Sequence, residues 1–468
     1  MHVGVLLQIT AEDGTPEEIQ EVVAFEKQTQ RSEQIGLSLA EGKAMLAEVQ
    51  VPLVRAKVAS WVEPHRSCDV CGTRRKSKGS YPLLFRTFYG DVPLQSPRLH
   101  RYPCKTEIAP AKSSPLPELS PDHVAQEKLY LESRWASLVP YAATAGLLGD
   151  VSPIASGANA SALRQQTLRV AGRVELELGE ERTSFIDGCP GKWASLPVPE
   201  GRIVVGLDGG YARDWKDRKT NFELIVGRTM PEDRESRYIG TVHGYDGKSK
   251  RRLFDLLNTQ CLQANQSVTF LTDGGEEGRS LTELITPEAE HGLDWFQIAM
   301  RITVLEQYAH SVGKHDEAEG KKLLQQLERI KWLLWHGNQH RARQETSNFR
   351  EEVAFLELNY QHLKPLPQQC TRVFAVYINN NSGSIINYGE RCRSGERISS
   401  AMAESTVNAL VSKGFAKRQQ MQWTKRGAHL LLQTRTRTLD GTLRPLFERW
   451  YPSLAVPIAI EPDQAVAA

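Results

Sequence analysis

At 468 residues the chain is longer than one hydrophobic core usually organises, so a domain of ordinary size with smaller modules, two or three in all, is expected. Hydrophobic residues make up 40% and charged residues 24%, ordinary globular values, and no apolar run approaches the roughly 20 residues of a membrane span. The first ten residues have neither the basic start nor the cleavage site of a signal peptide, and seven scattered cysteines do not form a disulfide framework, so a cytoplasmic protein is expected.

A net charge of +2 does not announce a nucleic-acid partner, but its distribution is uneven. Between Arg66 and Lys105 nine basic residues face only Asp69 and Asp91, and from Ser405 to Leu439 there is no acid at all. Such runs favour phosphate contacts, although each is also compatible with a solvated basic face.

In chain order, residues 1–63 read as an opening strand and a helical stretch from Glu17 to Trp61. Residues 64–117 change texture: Cys68-x-x-Cys71, strand-like runs at Tyr81–Tyr89 and Val92–Leu94, and a closing Pro-rich linker. Residues 118–190 return to helical signals, with a helix, a turn and a second helix at Ser161–Leu178 displaying Arg164, Gln165, Gln166 and Arg169; this is a bundle or a DNA-reading helix-turn-helix.

From Arg202 the period switches to strands: Ile203–Leu207, Phe222–Arg228 and Tyr238–Gly244, then a basic helix at Lys248–Cys261 and a strand at Val268–Thr272. That order predicts an α/β sheet of mixed direction. The chain then reads as helical from Thr282 to Leu363, with a last helix at Ser399–Lys413 and a basic tail.

Asp208, in Val-Gly-Leu-Asp-Gly-Gly, ends one apolar run, and Asp273, in Leu-Thr-Asp-Gly-Gly, ends another. Asp followed by Gly is an ordinary turn signal, but a carboxylate ending a buried strand is costly unless something compensates it, and here the pattern occurs twice. Glu404, in Ala-Glu-Ser-Thr-Val-Asn, is a third carboxylate on a helix. Hard divalent cations take oxygen ligands, and two such ions held by three carboxylates suit phosphodiester chemistry.

Those strings, together with Leu-Asp-Trp-Phe-Gln-Ile-Ala-Met-Arg and the stretch from Arg418 to Arg435, occur in an order that resembles the Kra-type bacterial insertion-sequence transposases. The resemblance extends over the opening strand, the Cys module and Leu129–Leu138, nearly the whole chain. It implies a ribonuclease-H-like core at 200–296 and 371–440, interrupted by an all-helical insertion at 297–370 and followed by a tail at 441–468. Asp208, Asp273 and Glu404 would be its acidic triad, holding two Mg²⁺ or Mn²⁺ ions. The implied activity is cleavage of element ends and strand transfer into double-stranded target DNA by a dimer or larger assembly. The alternatives are a related nuclease and a DNA-binding regulator without catalysis.

The family is similar to the Mutator-like group, in which a short Cys/Asp-x-x-His motif follows the second Asp. Here Asp294 matches but Gln297 replaces the His, which keeps a positioning role, as Arg301 would, and removes a titratable one. Cys68 and Cys71 form a zinc half-site that Cys104 extends, with His100 or His65 as a fourth ligand; the alternative is a metal-free remnant. Lys417, Arg418, Trp423, Lys425 and Arg426 are expected to hold a DNA backbone or a frayed base, with Trp423 as a core anchor the alternative.

Overall fold

The computed structural model describes residues 2–10, 20–27, 35–68, 71–100, 112–119, 122–153, 159–199, 201–232, 234–283, 285–286, 288–359, 366–399, 405–407, 409–411 and 423–455. The chain divides into two compact units, 1–170 with 441–468, and 171–440.

In the first unit β1 (His2–Leu7) pairs antiparallel with β2 (Gln20–Glu26). This replaces the start of the helical stretch expected from Glu17, because Val22, Val23 and Phe25 carry strand character that the periodicity of the following residues conceals. The helix α1 begins at Leu39 and runs to His65. Its start is fixed by a capping box, in which the Ser38 side chain accepts from the Glu41 N–H and Glu41 answers to the Ser38 N–H. The hairpin β3 (Ser77–Thr87) and β4 (Gly90–His100) packs Leu83, Val92 and Leu94 against Val51, Val54 and Val58 of α1, and a short β5 (Lys112–Ser113) adds to β4.

A short helix α2 (Leu116–Leu119) precedes α3 (Gln126–Leu138), α4 (Tyr141–Val151) and α5 (Ala160–Glu177). α3 ends before Pro140, which lacks the N–H to continue it and stands as the N-cap residue of α4 instead. Within the expected tail at 441–468, the described residues 441–455 pack on the first unit: the helix Leu443–Trp450 places Phe447 against Tyr130 of α3, ring centroids 5.4 Å apart.

After a short helix α6 (Pro190–Ala194), the second unit is mixed α/β around a five-stranded sheet: β6 (Ile203–Arg213), β7 (Asn221–Thr229), β8 (Tyr238–Val242), β9 (Val268–Thr272) and β10 (Ala289–Leu293), in the order β10-β9-β6-β7-β8. Three strands form an antiparallel meander, and β9 and β10 lie parallel to β6 on its other side. Ile203, Val205 and Leu207 point to one face, where α7 (Ser249–Asn258) brings Leu253, Leu256 and Leu257. β10 lies within the stretch expected to be helical; its Glu290 and His291 disguise it, and Glu290 is answered by Arg202 at 3.0 Å and Arg391 at 2.5 Å.

The short helix α8 (Glu276–Thr282) links β9 to β10. The helical block then consists of α9 (Trp295–Gly313), α10 (Glu317–Trp335), α11 (Gln339–Asn359), α12 (Leu366–Asn380) and α13 (Tyr388–Arg393). Its core joins Ile298, Ile302 and Leu305 to Leu323, Leu327, Leu334, Phe349, Phe374, Ile378 and Tyr388. The block therefore extends past the expected limit at residue 370, because Phe374 and Ile378 belong to its core rather than to the sheet. The helix α14 (Lys425–Leu439) returns to the sheet beside β8. Among the described residues no helix is long and apolar enough to cross a membrane.

Candidate functional site

Asp208 was expected to end a strand. Instead β6 continues to Arg213, because β7 pairs with it as far as Arg213 while the ladder with β9 stops at Gly206. Asp208 thus sits where β6 loses its parallel neighbour. The parallel register runs from Ile203 beside Val268 to Gly206 beside Leu271, and carrying that offset forward two residues places Asp208 beside Asp273. On the far side Leu293 lies beside Thr272, which brings Asp294 level with Asp273 in the same way. Neighbouring strands are about 4.8 Å apart, so the main chains of these acids form a row at one edge of the sheet.

Each member of the row is held locally. The Gly209 N–H donates to Asp208 Oδ1 at 2.8 Å, and the Gly275 N–H to Asp273 Oδ1 at 2.9 Å. Tyr377 Oη on α12 donates to the Asp273 carbonyl at 3.0 Å, and burial pushes this phenol up to about 12, so it remains a donor at neutral pH. Arg301 lies over the Tyr377 ring at 4.0 Å from its centroid. Gln297 is one helical turn before Arg301 on the same face of α9. Asp294 is 2% exposed, and its side chain accepts from the Phe296 N–H as the cap of α9.

The sequence reading missed a second group. On the other face of β6, Glu223 of β7 stands beside Tyr211, and its carboxylate occupies the space that a side chain at Gly209 would need, Oε1 lying 2.9 Å from that Cβ position. Burial raises the Glu223 carboxyl above its ordinary range, Glu277 and Asp273 add to the rise, and His243 opposes it. Glu223, Asp273 and Glu277 together hold the Tyr211 phenol high. His243 pairs with Glu277 at 2.8 Å. The only advance signal was proximity in register to Asp208, which requires the strand pairing to be known.

His291, also unexpected, sits on β10 between Thr272 Oγ1 at 2.8 Å and Ser384 Oγ at 2.7 Å. Burial, helped by Arg279, lowers it to about 4, so it is neutral at pH 7 and supports the residue before Asp273 through hydrogen bonds alone.

Glu404, Lys417, Arg418 and Cys104 lie outside the described residues. The residues just after Glu404 are described: Thr406, Leu410 and Val411 are buried, and Arg435 donates to the Leu410 carbonyl at 2.9 Å. Val411 Cγ1 lies 2.9 Å from where a Cβ on Gly210 would project, so this segment packs directly on β6 two residues beyond Asp208. The Gly209-Gly210 pair admits Glu223 on one face and Val411 on the other.

The other candidates are dispersed. Trp423 is 4% exposed; its carbonyl accepts from the Trp215 N–H, and it bridges to Asp214 at the end of β6, as a core anchor would. Lys425 and Arg426 are exposed in the first turn of α14, whereas His429 and Arg435 of the same basic run are buried, so that run is only in part a solvated face. In the first unit Arg164 is exposed and Arg169 is paired with Asp122 at 2.6 Å. Beside Cys68 and Cys71 the Gly72 N–H donates to the Cys68 carbonyl at 2.8 Å, and the His100 N–H donates to the Lys76 carbonyl. His65 is engaged with the Trp61 carbonyl at 2.6 Å. Among the described residues no group of three or more His, Cys, Asp or Glu side chains is arranged to hold a metal ion. No protein-family model matches the chain, and no curated protein matches it.

Proposed function

We propose that the chain is a DDE transposase of a bacterial insertion sequence, working at a ribonuclease-H-like sheet. The observation that carries this reading is the parallel register of β6 and β9, which ends at Gly206 beside Leu271 and, carried forward two residues, sets Asp208 level with Asp273. The order β10-β9-β6-β7-β8, with a meander on one side and two parallel strands on the other, supports the same reading. So does the return of residues 405–411 to β6 after the helical block, which brings the chain next to Glu404 back to the sheet.

The donor set fits divalent cations. Asp208 and Asp273 offer hard oxygen ligands where two neighbouring parallel strands end their pairing, as paired divalent ions require. The nearby Glu223, raised by burial and by its acidic neighbours, belongs to a region that favours added positive charge. Mg²⁺ or Mn²⁺ bound by Asp208, Asp273 and Glu404 would supply Lewis acidity and an activated oxygen nucleophile. The protein's own work is positional: Tyr377 holds the Asp273 main chain, Arg301 braces Tyr377, and Asp294 fixes the start of α9. The overall reaction is hydrolysis at the element ends followed by attack of the freed 3′-hydroxyl on target DNA. Joining two ends calls for a dimer or larger assembly.

In the first unit Cys68 and Cys71 supply a zinc half-site, and the reading there is a small DNA-contacting module.

The test incubates purified protein with labelled DNA carrying its own flanking ends, a plasmid target and Mg²⁺ or Mn²⁺, beside Asp273→Asn. Cleaved ends and joined products are expected from the wild type, with a loss of at least about a hundredfold in the variant. Cleavage without joining would make it a nuclease, and binding without cleavage a regulator.

A further inference from the structure

The β6–β7 hairpin projects beyond the acidic edge. Its tip, residues 213–220, is exposed apart from the partly covered Asp214, and carries Arg213, Trp215, Lys216, Arg218 and Lys219. The two acids in this stretch are engaged by the turn itself: Asp214 Oδ1 accepts from the Lys216 N–H at 2.8 Å, and Asp217 Oδ1 from the Lys219 N–H at 3.1 Å. Trp215 is 38% exposed, with the Arg218 guanidinium 4.1 Å from its ring centroid. The tip is joined to the start of α14 by the Trp215 N–H on the Trp423 carbonyl at 2.8 Å, which brings Lys425 and Arg426 into the same region. Cations in the first turn of a helix oppose its dipole, so these two gain nothing locally from their position. Among the described residues none of Lys216, Arg218, Lys219, Lys425 and Arg426 forms an ion pair with an acid.

We infer that this hairpin tip and the first turn of α14 form a cationic and aromatic platform for an unpaired DNA strand running from the acidic edge. The inference rests on the transposase reading for the strand's destination, but the binding chemistry is its own. A phosphate chain complements five cations from which acids are held away, and a base stacks on an exposed Trp already flanked by Arg. From Asp208 to Arg213 the strand advances about 17 Å.

The experiment measures binding of full-length protein to fluorescein-labelled oligothymidine across a salt series, for the wild type, Trp215→Ala and the combined Lys216→Ala, Arg218→Ala, Lys425→Ala, Arg426→Ala variant. These side chains are at the surface, and circular dichroism confirms that each variant is folded. The combined variant is expected to lower the slope of log affinity against log salt by roughly 3, and Trp215→Ala to weaken binding roughly five- to a hundredfold with its slope kept. Unchanged slope and affinity in both variants would overturn the platform, as would equal losses on a blunt duplex of the same length. End cleavage by the same proteins separates the two ideas: loss of slope in a protein that never cuts sinks the transposase reading and keeps the platform, while normal cutting with unchanged slope does the reverse.

Discussion

Asp246 follows β8 and Asp273 follows β9, yet the two carboxylates are answered in opposite ways. The Asp246 side chain is 2% exposed and accepts from Arg252 Nε at 3.0 Å, and the same guanidinium reaches Glu175 at 2.9 Å and Gln433 at 2.9 Å. His429 adds a contact to Glu175 at 3.3 Å. Against burial that would raise it, His429 and Arg252 hold the Glu175 carboxyl down to about 2. Near Asp273, Glu223 is pushed up rather than down, by burial and by Glu277 and Asp273, with His243 opposing. Burial with full compensation marks an element of architecture, whereas partial burial among like charges marks a place prepared for a cation or a substrate.

Removing the central cation should give the largest effect on stability. Arg252→Ala leaves Asp246 and Glu175 buried without their partner and is expected to cost about 3–5 kcal/mol in denaturant unfolding, whereas Asp273→Asn should leave the unfolding midpoint unchanged or higher while abolishing cleavage. Equal destabilisation by both would erase the distinction between the two regions. Gly210→Ala sharpens it, because the added methyl meets Val411 2.9 Å away and must displace the segment that follows Glu404. The expected cost is about 1–3 kcal/mol, with a drop in cleavage larger than that cost explains; a stability loss with normal cleavage by the folded fraction would detach the segment from the site.

Asp440 is an intermediate case. It accepts from the Tyr238 N–H at 2.8 Å, but burial raises its carboxyl from 3.8 to about 7. A folded-state value above the unfolded one means that the folded state binds the proton more tightly. Its contribution is therefore full in acid, below the unfolded value, and is lost as pH rises through about 7. Asp440→Asn keeps the acceptor and should remove this loss, so its thermal midpoint gains on the wild type as the buffer moves from mildly acidic to alkaline. A constant difference across that range would contradict the assignment.

Much of the second unit could be read from residue order. Val268–Thr272 is an uninterrupted apolar and β-branched run, and Leu323, Leu327, Ile330 and Leu334 recur at helical spacing in the block core. β10 was hidden because Glu290 and His291 find their partners at Arg391, Arg202 and Ser384, far away in the chain. The absence of acids from Ser405 to Leu439 suggested one basic face, yet charge counting is blind to burial: Arg435 serves the Leu410 carbonyl, and His429 belongs to the Arg252 network. Asp208 and Asp273 were legible as residues, but their common level was not, since it depends on the register between two strands 60 or so residues apart. The role of Glu223 is invisible for the same reason.

The helical block also has a consequence for how the site is assembled. Tyr377 and Tyr388 donate to the carbonyls of Asp273 and Leu293, so the block grips the ends of β9 and β10. Closing a loop of this length as free chain would carry a large entropic penalty before any contact repaid it. Because α9 to α13 build a core of their own, most of the interval between β10 and residue 405 is packed helix rather than free chain.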